Sequence, residues 1–348
     1  AGGLPDVATF GLSAADIHSL YPPVRGPGID RRIAVLGLDA PLLAASVTRY
    51  RELEGLGQCP ACLAVVSAPA LDAAAAGPSS GPTDAVQNAL TGTAVVEAAV
   101  AACPNCRITY VRMSDTGLQQ LGNAFVFAVQ SLRIRTVVSP YTTVGQGQYD
   151  AAALRSYFAV RGVTFLVAAG DTGAYWVPGL PATAPDALAV GGTSVHRSGA
   201  GWLTDGWPGT AAACATFVPR PSWQRPVPTG CPGRAVTDLS AAADPQVSPL
   251  SVVLSLGSAS FARIPVGGTA VAAGLLAGWA SASGLGGTLT PAWLYAHHSF
   301  LLDVRTGRSN QCVVETGPCQ VRWDSGSSDR VSTPRSGWDG VTGWGTPS

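Results

Sequence analysis

Apolar runs of strand length alternate with longer mixed stretches through the first 170 residues. Ile33-Ala34-Val35-Leu36-Gly37-Leu38 is continuous and apolar, as in a strand buried on both faces. Leu63–Ser67, Arg107–Val111, Thr136–Ser139 and Val163–Ala168 repeat the pattern and read as further buried strands. Between them the spacing predicts helices over Pro41–Glu54, Thr91–Ala102, Gly117–Ser131 and Ala151–Arg161. Ser13 with Asp16 in the first turn predicts a short capped helix before the first strand. Strand and helix in alternation predict an α/β fold, with a doubly wound, mainly parallel sheet and helices on both faces. Loops at the C-terminal ends of such strands carry function.

From about 195 to 265 the chain reads as loop-rich with short strands. Val266-Gly267-Gly268-Thr269-Ala270 then leads into a long run of small and apolar residues, a tight loop feeding a buried helix. Such a loop presents its next residue at a helix N-terminus, where free amides hold an oxyanion. That residue is Ala270, whose methyl group is no nucleophile. Pro291–Ala296 predicts a further helix, and His297 and His298 read as helix-end residues, not a metal site. His18 and His196 lie outside every motif.

The 348 residues are 47% hydrophobic and 12% charged, which means a large core under a thin charged surface. No clear linker or internal repeat divides them, so one domain over 1–348 is expected. Zero net charge without a basic cluster argues against nucleic acid. No apolar run reaches the roughly 18–20 residues of a membrane span. The sequence opens on Ala1-Gly2-Gly3, without Met or a signal peptide, so a processed product is expected.

The eight cysteines fall as close pairs, Cys59/Cys62, Cys103/Cys106, Cys214/Cys231 and Cys312/Cys319. An even count in Gly/Pro-rich loops points to disulfides and an oxidising compartment. Two C-P-x-C knuckles at 59–62 and 103–106 leave a four-thiolate zinc site as the alternative.

Several segments together resemble the sedolisins, or serine-carboxyl peptidases. Ala168-Ala169-Gly170-Asp171-Thr172-Gly173-Ala174 is similar to A-S-G-D-S-G-A. Leu180-Pro181-Ala182-Thr183-Ala184-Pro185, running on to Val190-Gly191-Gly192-Thr193, is similar to F-P-A-S-S-P…V-G-G-T. Pro219–Gln224, Arg234–Pro245 and Gly337–Pro347 match further motifs, and 267–274 resembles G-G-T-S-A-A-A-P. The resemblance spans essentially the whole chain and implies an enlarged subtilisin-like α/β domain. It would have an N-terminal arm over 1–30 and a calcium-binding tail over 300–348.

Family members use a Ser nucleophile, a Glu base and an orienting Asp four residues on, on the same helix face. A further, protonated Asp donates to the oxyanion. Carried over position by position, the base falls on Thr91, the orienting acid on Val95 and the nucleophile on Ala270; only the oxyanion residue, Asp171, is kept. A Ser-to-Ala change accounts for position 270 alone, not for Thr91 or Val95, and Gly274 also replaces the family's Pro. The resemblance thus implies a pseudopeptidase, secreted after removal of a signal and pro-segment and monomeric. It would act in binding or scaffolding, with a peptide or protein in the former substrate cleft, or in a recruited reaction. The alternative is an acid-active endopeptidase seen as a Ser→Ala variant.

Glu97 lies about 200° round the helix from Val95 and is expected to face elsewhere. Asp39, after the first strand, reads as the N-cap of the helix at Pro41 or as a substitute acid reaching Thr91. Thr93 carries a hydroxyl with no evident base. Ser139-Pro140-Tyr141 replaces the family's S-W-G, and Pro weakens pairing with an extended peptide. The resemblance also implies one structural calcium, held by the carboxylates of Asp303 and Asp339 and the carbonyls of Val304, Arg335 and Gly337. The resemblance also implies that the second and third strands are parallel neighbours, so Cys59/Cys62 and Cys103/Cys106, which precede them, should gather at the sheet's N-terminal end. Local bridges, cross-strand bridges and zinc stay open.

Overall fold

A computed structural model of the chain describes residues 11–28, 30–69, 82–142, 156–175, 178–199, 201–309 and 329–348. Its centre is a sheet built from β1 (Arg32–Gly37), β2 (Leu63–Ser67), β3 (Arg107–Arg112), β4 (Thr136–Ser139), β5 (Thr164–Ala168), β6 (Leu188–Ser198) and β10 (Leu239–Ala242). The strand order is β10-β6-β5-β4-β1-β3-β2, and every neighbouring pair is parallel. Strand β7 (Gly201–Gly206) adds to β6 in the antiparallel sense. Two antiparallel hairpins lie outside the sheet: β8 (Ala213–Pro219) with β9 (Gly233–Val236), and β11 (Leu250–Gly257) with β12 (Ser260–Val266). The expected loop-rich stretch from 195 to 265 is therefore largely hairpin.

Successive residues of a strand point to opposite faces, and here both faces are dry. Ile33 and Val35 of β1 enter one core, while Ala34 and Leu36 enter another across the sheet. The first core packs α1 (Ala14–Leu20), α2 (Leu43–Leu53), α3 (Pro82–Ala102), α5 (Thr269–Ala282) and α6 (Pro291–His297) against the sheet. The second is covered by α4 (Leu118–Val126), through Leu121, Ala124 and Phe125. A wider π-type turn carries that helix on to Ser131. Helix α1 starts as expected: the Ser13 hydroxyl accepts from the Asp16 amide, and the Asp16 carboxylate accepts from the Ser13 amide. The tail ends in α7 (Asp329–Ser332) and a short ladder of β13 (Leu301–Leu302) with β14 (Thr346–Pro347).

Three local expectations change. Strand β2 is the sheet's edge and is largely exposed, with Val65 50% accessible. Helix α3 begins nine residues before Thr91. Of the helix expected at Ala151–Arg161, residues 151–155 lie outside the described residues, and 157–161 are turn and irregular chain. Among the described residues no helix is long and apolar enough to cross a membrane.

The cysteines pair locally, Cys59–Cys62, Cys103–Cys106 and Cys214–Cys231. The first two bridges do gather at the N-terminal end of β2 and β3. There the buried Arg51 guanidinium donates to the carbonyls of Leu56, Gly57 and Pro104. Cross-strand bridges are not formed, and sulfurs tied up in disulfides offer zinc no thiolate. Cys312 and Cys319 lie outside the described residues.

Candidate functional site

Helices α3 and α5 run in the same direction and touch along small residues. A β-carbon added to Gly274 would stand 2.6 Å from the Val95 carbonyl oxygen, and one added to Gly278 would stand 2.5 Å from that of Ala99. Both contacts advance four residues on each helix. By the same step one turn earlier, Thr91 comes level with Ala270. Thr91 and Val95, four apart, share this face of α3. Val95 is fully buried, whereas Thr91 and Ala270 are partly accessible. Thr91, Val95 and Ala270 therefore line one seam, and none of the three is itself ionisable.

Asp171 is held against the same seam. It follows β5, and its Oδ1 accepts from the Thr269 amide at 2.8 Å and the Thr269 hydroxyl at 2.8 Å. The Thr269 hydroxyl in turn accepts from the Gly170 amide at 3.0 Å. Gly268, at φ +99°, leaves no room for a side chain, since its β-carbon would meet Asp171 Oδ2 at 2.5 Å. Asp171 keeps exposed surface, while protein crowds its carboxyl on the Thr269 side. That crowding raises its pKa above the ordinary value, opposed by the bonds from Thr269. The Asp171 carboxyl group thus lies at the start of α5, next to the residue before Ala270, and takes up a free amide of that helix's first turn.

The space between the end of β1 and α3 is filled by Tyr110 of β3. Its hydroxyl donates to the Leu38 carbonyl at 2.6 Å, and a β-carbon at either Gly37 or Gly92 would collide with it. Burial, with Tyr141 and Asp39 nearby, pushes the Tyr110 phenol far up. Tyr141 is pushed up to about 12 by burial. Its hydroxyl lies near the Leu38 backbone without completing a hydrogen bond of its own. Sequence reasoning missed Tyr110, because a tyrosine in a strand reads as ordinary core. The two glycines facing it were the available signal.

Asp39 takes neither expected role. Helix α2 starts at Leu43 without a side-chain cap, and Asp39 pairs instead with Arg112 at 3.1 Å on the exposed rim. Ser139-Pro140-Tyr141 closes on itself: the Ser139 hydroxyl donates to the Tyr141 carbonyl at 2.9 Å and accepts from its amide at 3.3 Å. Those backbone groups are occupied within the turn. Glu97 faces away from α5, as expected. It is fully buried and its Oε2 accepts from the Val253 amide at 2.8 Å. Burial holds its pKa well above the ordinary range, reinforced by the charge of Glu54. His297 closes α6 with Nδ1 2.9 Å from the Trp293 carbonyl, and His298 stacks on Trp344.

The fold as a whole has counterparts among solved structures. The described chain superimposes on Pseudomonas sedolisin, a serine-carboxyl proteinase solved with two molecules of pseudo-iodotyrostatin. The TM-score is 0.74 at 18% identity, over 97% of this chain and 95% of that one. The fold is that of the sedolisins. Sphericase (TM-score 0.53, 13% identity, 95% of this chain and 96% of that one) and a psychrophilic protease (0.51, 14%, 95% and 96%) share the wider subtilisin-like architecture. The sequence itself matches no family model and no curated protein.

On this sedolisin fold the tail places Asp303 and Asp339 on loops that meet. The Gly337 amide donates to Asp303 Oδ2 at 3.1 Å, and the Arg335 amide to Asp339 Oδ2 at 3.1 Å. Asp303 Oδ1 is buried without a hydrogen-bond partner. Asp339 Oδ1 also accepts from the Val341 and Thr342 amides, and burial still raises its pKa to about 7. Arg305 Nε lies 2.8 Å from Asp303 Oδ2. Among the described residues no three His, Cys, Asp or Glu side chains cluster as a metal site.

Proposed function

We propose that this chain is a pseudopeptidase on the sedolisin fold, proteolytically silent and retained for binding, scaffolding or a recruited non-proteolytic role. The reading rests on the α3–α5 seam, where Thr91, Val95 and Ala270 meet without a nucleophile, base or orienting acid. Losing members of such a relay removes several orders of magnitude in rate. The former substrate cleft then serves a peptide or protein ligand, although the closed turn at Ser139–Tyr141 takes backbone groups away from strand pairing. The disulfides support a secreted, oxidising setting.

One observation favours a second reading, an acid-active serine-carboxyl endopeptidase in which Ala270 replaces Ser. Asp171 keeps its place beside residue 270, with a raised pKa. Thr91 and Val95 count against it. Incubating Ala270→Ser protein with a peptide library at acidic pH separates the two, by mass spectrometry of the products. The pseudopeptidase reading expects no cleavage.

A structural calcium fits the tail. The donor set is all oxygen, the two carboxylates lie on loops joined by hydrogen bonds, and the orphaned Asp303 Oδ1 lacks a partner. Asp303, Asp339 and the carbonyls of Val304, Arg335 and Gly337 would hold the ion. When bound, it would supply charge neutralisation that ties the tail to the core. Calcium should raise the melting temperature and a chelator should lower it; equal melting in both sinks the assignment.

A further inference from the structure

A cleft of about 660 Å³ opens between the start of α2, the first turns of α3, the ends of β2 and β3, and the end of β11. Its size is that of a small-molecule site. It is separate from the degenerate relay. Ala85, Ala89 and Thr93 line it at four-residue spacing, and Thr93 lies about 200° round α3 from Thr91. The relay seam and the cleft therefore occupy opposite faces of one helix.

Its rim is unusually apolar for a surface. Leu42, Val86 and Leu256 are 41%, 63% and 59% accessible, and they converge on this cleft from three different elements. Apolar side chains grouped in this way mark a binding surface more often than scattered ones do. The alanines of α3 leave the hollow between them.

The polar groups of the wall are mostly used up. Arg112 pairs with Asp39 and donates to the Ser67 hydroxyl at 2.9 Å, so the rim charges cancel. The Ser46 hydroxyl donates to the Leu42 carbonyl and accepts from the Ser255 amide. Gln120 is different. Only 1% of it is exposed, it lines the cleft, and its Oε1 is buried without a hydrogen-bond partner. A buried acceptor left unpaired costs free energy, and a ligand toward which the Gln120 amide turns this oxygen would recover it.

We propose that this cleft binds a small, uncharged, mainly apolar molecule carrying one hydrogen-bond donor, seated donor-first on Gln120. The apolar rim takes the body of the ligand, and the neutralised Asp39–Arg112 pair gives a charged group no preference.

N-phenyl-1-naphthylamine, an uncharged apolar dye with one N–H, probes the site by fluorescence. Two isomers, 1-octanol and heptyl methyl ether, compete for it with equal bulk but different hydrogen bonding. The full chain should bind the dye saturably, and octanol should displace it at about tenfold lower concentration than the ether. Gln120→Leu should remove that tenfold preference while leaving ether competition unchanged. Ala89→Trp, which fills the hollow, should abolish dye binding with the melting temperature preserved. If that variant does not fold, Val86→Asp at the exposed rim should weaken dye binding on an intact fold. Absence of saturable binding overturns the proposal. So does dye binding that survives both Ala89→Trp and Val86→Asp in folded protein, or an octanol preference that Gln120→Leu does not alter.

Discussion

Gly274 of α5 lies against the Val95 carbonyl of α3 so closely that a β-carbon would stand 2.6 Å from that oxygen. Position 274 is one where the chain departs from the sedolisin pattern, and here it is a packing residue. It brings α5 onto α3, with Val95 buried at the contact. Gly274→Ala should therefore lower stability by about 1–3 kcal/mol, the usual cost of overpacking. Urea unfolding measures this, and a neutral result would mean that the two helices part easily.

Val95→Asp would restore the family's orienting carboxylate in a site that has no partner for it. Loss of about 3–5 kcal/mol is expected at neutral pH, where a buried charge would stand uncompensated. Burial raises the pKa of such a carboxyl, so the penalty should shrink as pH falls and the group takes a proton. Chemical denaturation at two pH values checks both the size and the direction.

Asp171 is proposed to act through its oxygens as a cap for α5, since Oδ1 holds both the amide and the hydroxyl of Thr269. Asp171→Asn keeps an acceptor and should change stability little. Asp171→Ala leaves the Thr269 amide without it and should cost about 1–2 kcal/mol. Thermal melts of the two variants distinguish the cap from a purely electrostatic role.

Glu97 sets a pH dependence of stability. Its ordinary pKa is 4.5, and burial raises it well above that in the folded chain. Below the ordinary value both states hold the proton. Above it the unfolded chain releases the proton and the folded chain keeps it, so stability falls as pH rises, until Glu97 itself ionises. Gln still offers an acceptor to the Val253 amide. Glu97→Gln should therefore gain on the natural chain progressively from about pH 4.5 upward. Unfolding free energies of both proteins across pH 4 to 8 give the difference; a constant difference would contradict the assignment.

Much of this architecture was legible in the sequence, because a parallel sheet buried on both faces writes itself as continuous apolar runs. β1, β3, β4 and β5 are legible in this way, and so are the Ser13 cap and the loop before Ala270. β2 misled for the same reason: Leu63-Ala64-Val65-Val66 is as apolar as a central strand, and nothing local tells an edge from a centre. Asp39 was misread because its partner Arg112 is distant in sequence. Motif order singles out Thr91, Val95 and Ala270, but their common seam becomes visible only with Gly274 and Gly278 in place. Tyr110 was invisible, since its effect depends on Gly37 and Gly92 meeting it across two elements.

The central claim is that peptide hydrolysis is absent because the seam of Thr91, Val95 and Ala270 lacks its chemistry, not because one serine is missing. The most direct test is the rate of peptide cleavage by Ala270→Ser protein at acidic pH, followed with quenched fluorescent peptides of mixed sequence. The account predicts a rate indistinguishable from that of the natural chain. Cleavage that appears only when residue 270 is Ser would contradict it.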